Sequence, residues 1–298
     1  MLAMQGFVWQ VIDLGLLAAG LVCLAGFVIR LARTGRWRNP LADVRVGGAG
    51  PTAAAVIGVV LVFATLQMAA SRLLERDRLR EAQVRPGSDA WHREQCAGEL
   101  AQVAVIPLMI AVLGRGRRDR PIAPAGGAVG RSQTVGAVSC LAAAIGGVLV
   151  LWPIANAQWE LGRALWQQVH PEASPPVHPV LLALHASDWG IWGTVQLLVG
   201  AVVVAPVAEE LFFRGVVLGA LCRHLHRVWP AILLTAIAFG LIHVTQPQDV
   251  LPLVTMGVVL GYLRLRCGSL WPCIVLHALF NARTMIAALL APELLDRL

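Results

Sequence analysis

Glu209, Glu210 and Arg214 stand inside the apolar run VVVAPVAEELFFRGVVLGAL, where each charge costs roughly 2.5–3.5 kcal/mol on insertion scales. Two further apolar runs each hold a histidine, His243 in AFGLIHV and His277 in LHALFNA, and Asn281 closes the second of them. A carboxylate in a low-dielectric setting is a stronger base near neutral pH. Imidazole and amide groups aimed at one point can donate hydrogen bonds where negative charge develops. Together these residue types can activate water and steady a tetrahedral intermediate. No serine or cysteine is adjacent to the set, so direct attack by water fits better than a covalent acyl-enzyme.

Helical phase sorts the charges. Residues four apart share a face and neighbours lie about 100° apart, so Glu210 and Arg214 can pair while Glu209 points elsewhere. Phe239 with His243, and His277 with Asn281, repeat the same spacing. Pro206 removes a backbone hydrogen bond just upstream and can open a polar gap in its helix. Depth agrees as well. With reversals near Arg227 and Gly268, Glu210 and His243 both fall ~25 Å from the first, and His277 and Asn281 ~14 and ~20 Å from the second. A structural ion pair would explain Glu210 and Arg214 but not Glu209, and either histidine alone could be an interhelical hydrogen-bonding residue.

The elements that must position these groups are membrane helices. The 298 residues are 57% hydrophobic and 14% charged, against about 25% charged in soluble domains, and the mean hydropathy is +0.70. Apolar stretches at 7–29, 52–70, 98–113, 134–155, 190–222, 229–244, 250–265 and 270–291 approach spanning length. The expected fold is therefore all-α, a polytopic integral membrane bundle of about eight transmembrane helices. The first stretch has no small-residue cleavage site and reads as a retained helix.

All 24 basic residues are arginines, giving a net charge of +7. They lie in connectors rather than on a wettable face, which argues against nucleic-acid binding. Connectors carrying Arg30–Arg45, Arg115–Arg131, Arg223 with Arg227, and Arg264 with Arg266 belong inside by the positive-inside rule, and 157–189 and 245–249 outside. The 71–97 connector, with six arginines and five acids, runs against that pattern. Residues 1–133 form an N-terminal membrane region of about three helices, joined by a Gly/Pro/Ala-rich linker at 116–131 to a C-terminal membrane region, 134–298. The Pro- and Trp-rich stretch 157–189 is expected to be irregular. The six cysteines show no metal-ligand spacing.

The motifs EELFFR (Glu209, Glu210, Arg214), FGLIH (Phe239, His243) and HALFN (His277, Asn281), in that order on separate apolar runs, resemble those of the CPBP intramembrane proteases. That family groups type II CAAX prenyl endopeptidases with bacterial bacteriocin-processing and immunity (Abi-like) proteins. The resemblance covers about 190–291. It implies an endopeptidase in which Glu209 activates water with help from His243, Glu210 and Arg214 brace the site, and His277 with Asn281 steadies the oxyanion. The substrate implied is a membrane protein or peptide, either prenylated at a CAAX terminus or carrying a leader. Whether Zn2+ takes part is left open; Glu209, His243 and His277 are the ligands available, but there is no HExxH. The alternatives are a non-catalytic scaffold or bacteriocin-immunity protein of the same fold, and a proton relay or transporter. An arginine-only, alanine- and glycine-rich composition fits a GC-rich bacterium and its inner membrane.

Overall fold

The computed structural model describes residues 2–34, 41, 44, 50–80, 88–117, 136–185 and 190–290. Every regular element among them is a helix. In chain order these are α1 (Leu2–Arg33), α2 (Ala53–Arg80), α3 (Asp89–Arg117), α4 (Ala137–Val169), α5 (Pro179–His185), α6 (Gly190–Leu225), α7 (Val228–Leu241), α8 (Pro247–Cys267) and α9 (Trp271–Leu290). Seven of them are long and apolar enough to cross a membrane. The exception besides the short α5 is α7, whose 14 residues reach only ~21 Å. Leu14, Leu21 and Val22 of α1 and Ile57 and Leu61 of α2 stand exposed, a surface suited to lipid rather than water.

The structure departs from the sequence expectation in three places. The stretch 157–169 is helical, because QWELGRALWQQV is rich in good helix formers; α4 runs on to Val169 before an irregular stretch at 170–178. Helix α3 begins nine residues before the expected 98, so Glu99 lies well inside it. Helix α7 ends at Leu241, placing His243 in the turn that follows rather than on the span. There β-branched Val244 and Thr245 precede Pro247, which starts α8 at its first position. The linker expected at 116–131 lies largely outside the described residues.

One core joins the C-terminal helices. Ala144 and Leu151 of α4, Phe213 of α6, Phe239 of α7, Met256, Leu260 and Leu263 of α8, and Leu276 of α9 pack together, all nearly solvent-free. Reversals at His226 and Gly268 use left-handed backbone (φ 53° and 65°), bringing α7 back along α6 and α9 back along α8. Helices α7 and α8 approach closely because Gly257 has no side chain: a Cβ there would sit 2.8 Å from Ala236 Cα. That contact sets the spacing between the helix leading to His243 and the next. Gly257→Leu is expected to destabilise the protein by about 1–3 kcal/mol through overpacking. Gly146→Ala, with open space around it, should be neutral or better. Unfolding midpoints in detergent measure both.

Candidate active site

The order of residues around Pro206 determines how α6 is wound. The helix is π-helical over Gly200–Val204, α-helical over Ala205–Glu210 and π-helical again over Leu211–Val217. Such wide turns concentrate at functional sites. In the first of them the Ala205 N–H bonds to the Gly200 carbonyl, five residues back. The next donor in that register would be residue 206, a proline without an N–H, so the Ala201 carbonyl has no donor within its own helix. Asn281 of α9 supplies one: its Nδ2 donates to Ala201 O at 2.8 Å. Proline, wide turn and asparagine form one unit that pins α9 to α6.

Glu210 and Arg214, one turn apart, are fully buried. Arg214 NH1 donates to Glu210 Oε1 at 2.8 Å, and His277 Nδ1 meets the same oxygen at 2.9 Å. Arg214 Nε and Nη2 have no hydrogen-bond partner among the described residues. The guanidinium instead lies over the Phe239 ring, 4.4 Å from its centroid, and 5.8 Å from that of Phe213. Aromatic faces attract a desolvated cation, which offsets part of that deficit.

Glu209 is turned the other way. Its side chain is 23% exposed and opens into a cavity of about 710 Å³, which His243, His277 and Asn281 also line. His277 Nε2 is 3.8 Å from Glu209 Oε2, so this imidazole spans the gap between the two carboxylates. A carboxylate oxygen can only accept, so a neutral His277 carries its proton on Nδ1. The same logic applies to His243, whose Nδ1 donates to the Phe239 carbonyl at 3.0 Å. Its Nε2 is then a lone pair, able to take a proton. Phe239 is solvent-free and edge-on to both rings, at 5.4 Å from His243 and 5.7 Å from His277.

All six sequence-selected residues, Glu209, Glu210, Arg214, His243, His277 and Asn281, thus fall at one place; four line the cavity, and Glu210 and Arg214 lie behind it. Sequence reasoning did not find the rest of the wall. Glu99, Gln95 and Gln102 of α3, Gln67 of α2, and Asn156, Trp159 and Arg163 of α4 share the cavity. The spacing of the α3 residues within an apolar window was the available signal. Among the described residues no three His, Cys, Asp or Glu side chains are grouped to hold a metal ion. Glu209, His243 and His277 all line the cavity without being gathered into such a set.

Removing one member of a buried pair strands the other charge. Arg214→Met is expected to cost about 3–5 kcal/mol. Adding Glu210→Gln should restore part of that loss, because no unpaired charge then remains. Denaturation of the single and double variants in detergent measures the coupling.

Residues 191–283 match the family model of Type II CAAX prenyl endopeptidase Rce1-like proteins. No curated protein and no solved structure matches the chain. The matched segment begins at the start of α6 and ends two residues past Asn281, so it contains every residue of the glutamate–histidine–asparagine cluster. Over that segment the chain is similar to the type II CAAX prenyl endopeptidases.

Proposed function

We propose that this chain is an intramembrane endopeptidase that hydrolyses a peptide bond of a membrane-associated substrate with water activated by Glu209. The observation that carries the reading is the division of labour between adjacent carboxylates. Glu210 is committed to Arg214 and His277, while Glu209 opens into a polar cavity between membrane helices. A structural ion pair accounts for the first and leaves the second unused.

The chemistry follows from the donors and acceptors in place. Glu209 takes a proton from water as the oxygen attacks the scissile carbonyl carbon, and the His243 Nε2 lone pair shares that task. Negative charge moves onto the carbonyl oxygen. Asn281 has one N–H committed to Ala201 and a second available for a developing oxyanion, and His277 can join it only in its doubly protonated form, with Nδ1–H on Glu210 and Nε2–H toward the cavity. Collapse of the intermediate expels the amine, which takes back the proton that Glu209 received. Glu210 and Arg214 touch no substrate in this scheme. They hold His277 in place with its Nε2 turned toward Glu209.

Substrate access from the bilayer suits a prenylated CAAX-type protein, a leader peptide or another membrane-protein segment. The family match supports the first of these. The inner membrane of a bacterium remains the location that the arginine-only composition favours.

The test is cleavage of a fluorogenic farnesylated peptide, beside a panel of membrane-protein segments, by the purified chain in detergent. Glu209→Gln should lower kcat by about 10²–10⁴-fold with an unchanged unfolding midpoint. His243→Ala should lower it in the same range. A Glu209→Gln chain that retains wild-type cleavage would overturn the reading, and loss of wild-type activity on adding a chelator would overturn its metal-free course. Asn281→Ala should cost both activity, about 10²–10³-fold, and stability, about 1–3 kcal/mol, because it also strands the Ala201 carbonyl.

A further inference from the structure

Helix α3 lies outside the family-matched segment, yet it supplies one wall of the cavity. Gln95, Gly98, Glu99 and Gln102 recur at i, i+3, i+4 and i+7, a single helical face, and all four line the cavity. One turn further on the face becomes apolar: Val105 and Met109 pack against Leu211 and Val216 of α6. The polar stretch therefore ends where the helices seal together.

The neighbours of that face are side-chain amides. Gln67 of α2 stands beside Gly98, its Nε2 at an ordinary contact distance of 4.0 Å from where a Cβ would be. Gln196 of α6 donates to Cys96 Sγ at 2.7 Å and reaches Glu99 Oε2 at 3.5 Å. Gly200 makes space for the Glu99 carboxylate, which a Cβ at that position would strike. Gln102 Oε1 is buried and has no hydrogen-bond partner among the described residues.

The same close approaches fix the register. Glu99 lies against Gly200 and Leu113 against Gly215, so α3 runs parallel to α6 at a nearly constant offset. Gln102 then comes level with about Val203, roughly six residues or ~9 Å along the axis from Glu209. An extended chain advances about 3.3 Å per residue, so this distance spans about three substrate residues.

We infer that the α3 face bearing Gln95, Glu99 and Gln102, with Gln67 and Gln196 beside it, is a docking wall for the unwound backbone of the substrate, about three residues from the scissile bond. A helical segment must open before its peptide bond can be attacked. Opening it leaves N–H and C=O groups unpaired in a medium that cannot hydrate them. A carboxamide carries both donors and an acceptor, the complement of a peptide group. The unpartnered Gln102 Oε1 takes a substrate backbone N–H. Gln67 and Gln95 offer amide donors to carbonyls, while the Gln196 amide, taken by Cys96 and Glu99, braces the wall from behind.

The inference rests on the protease reading, and the experiment separates the two. With the fluorogenic farnesylated peptide, Gln102→Leu should raise KM about tenfold with kcat nearly unchanged, while Gln102→Glu, which keeps the acceptor, should recover most of the loss. In a series of peptides with single amide-to-ester replacements, one position about three residues from the cleaved bond should raise the wild-type KM similarly. That replacement should add nothing in Gln102→Leu, as two changes to one hydrogen bond are not additive. Cleavage with KM untouched by Gln102→Leu, or full additivity with the ester at every position, would overturn the docking wall and leave the protease standing. A probe needing no turnover gives the other arm. In the Glu209→Gln chain, p-benzoylphenylalanine at position 102 should cross-link the peptide, and at lipid-facing position 110 it should not. Absence of cross-linking at 102 would overturn the docking wall even if no peptide is cleaved.

Discussion

A buried ion pair constrains everything else in this molecule. Glu210 and Arg214 are enclosed in a helix that passes through an apolar core, and neither has water to fall back on. A buried charge is tolerable only when paired and contacted on its remaining sides. This requirement accounts for the neighbours: His277 on the same carboxylate oxygen, and Phe213 and Phe239 against the guanidinium. The pair gains little stability over an apolar substitute. It gives a fixed direction to His277, whose other nitrogen faces Glu209.

Phe239 shows how one side chain can serve several demands. Its ring faces Arg214, meets His243 and His277 edge-on, and packs against Phe213, while its carbonyl orients His243. A smaller residue would lose these contacts together. On the opposite side, the wide turn before Pro206 converts a backbone defect into an anchor for Asn281. Both features place side chains through main-chain groups, which are held more firmly than side-chain partners would be.

Much of this could be read from the chain. Charges within apolar runs are costly enough to be informative, so Glu209, Glu210 and Arg214 stood out, and helical phase separated the paired carboxylate from its neighbour. The apolar runs became helices because hydropathy and length are strong signals. What was not legible depended on tertiary contact. The register shift at Ala205 is visible only once the carbonyl that takes its N–H is known. The end of α7 before His243 reflects a reversal into Pro247 that an apolar window runs across. The glutamines of α3 are not marked out in the sequence, because nothing local says that Gly200 makes room for Glu99 or that Gln102 lines a cavity shared with Glu209.

In the proposed mechanism Glu209 acts as a base on water and not as a nucleophile. Repeated turnover of the farnesylated peptide in ¹⁸O-labelled water, followed by mass analysis of both product and protein, tests it most directly. Attack by water places the label in the new carboxylate of the product and leaves the Glu209 side chain unlabelled. Label accumulating in Glu209 would mean that its oxygen had bonded to the substrate carbonyl, and the proposed division between a braced Glu210 and a water-activating Glu209 would be wrong.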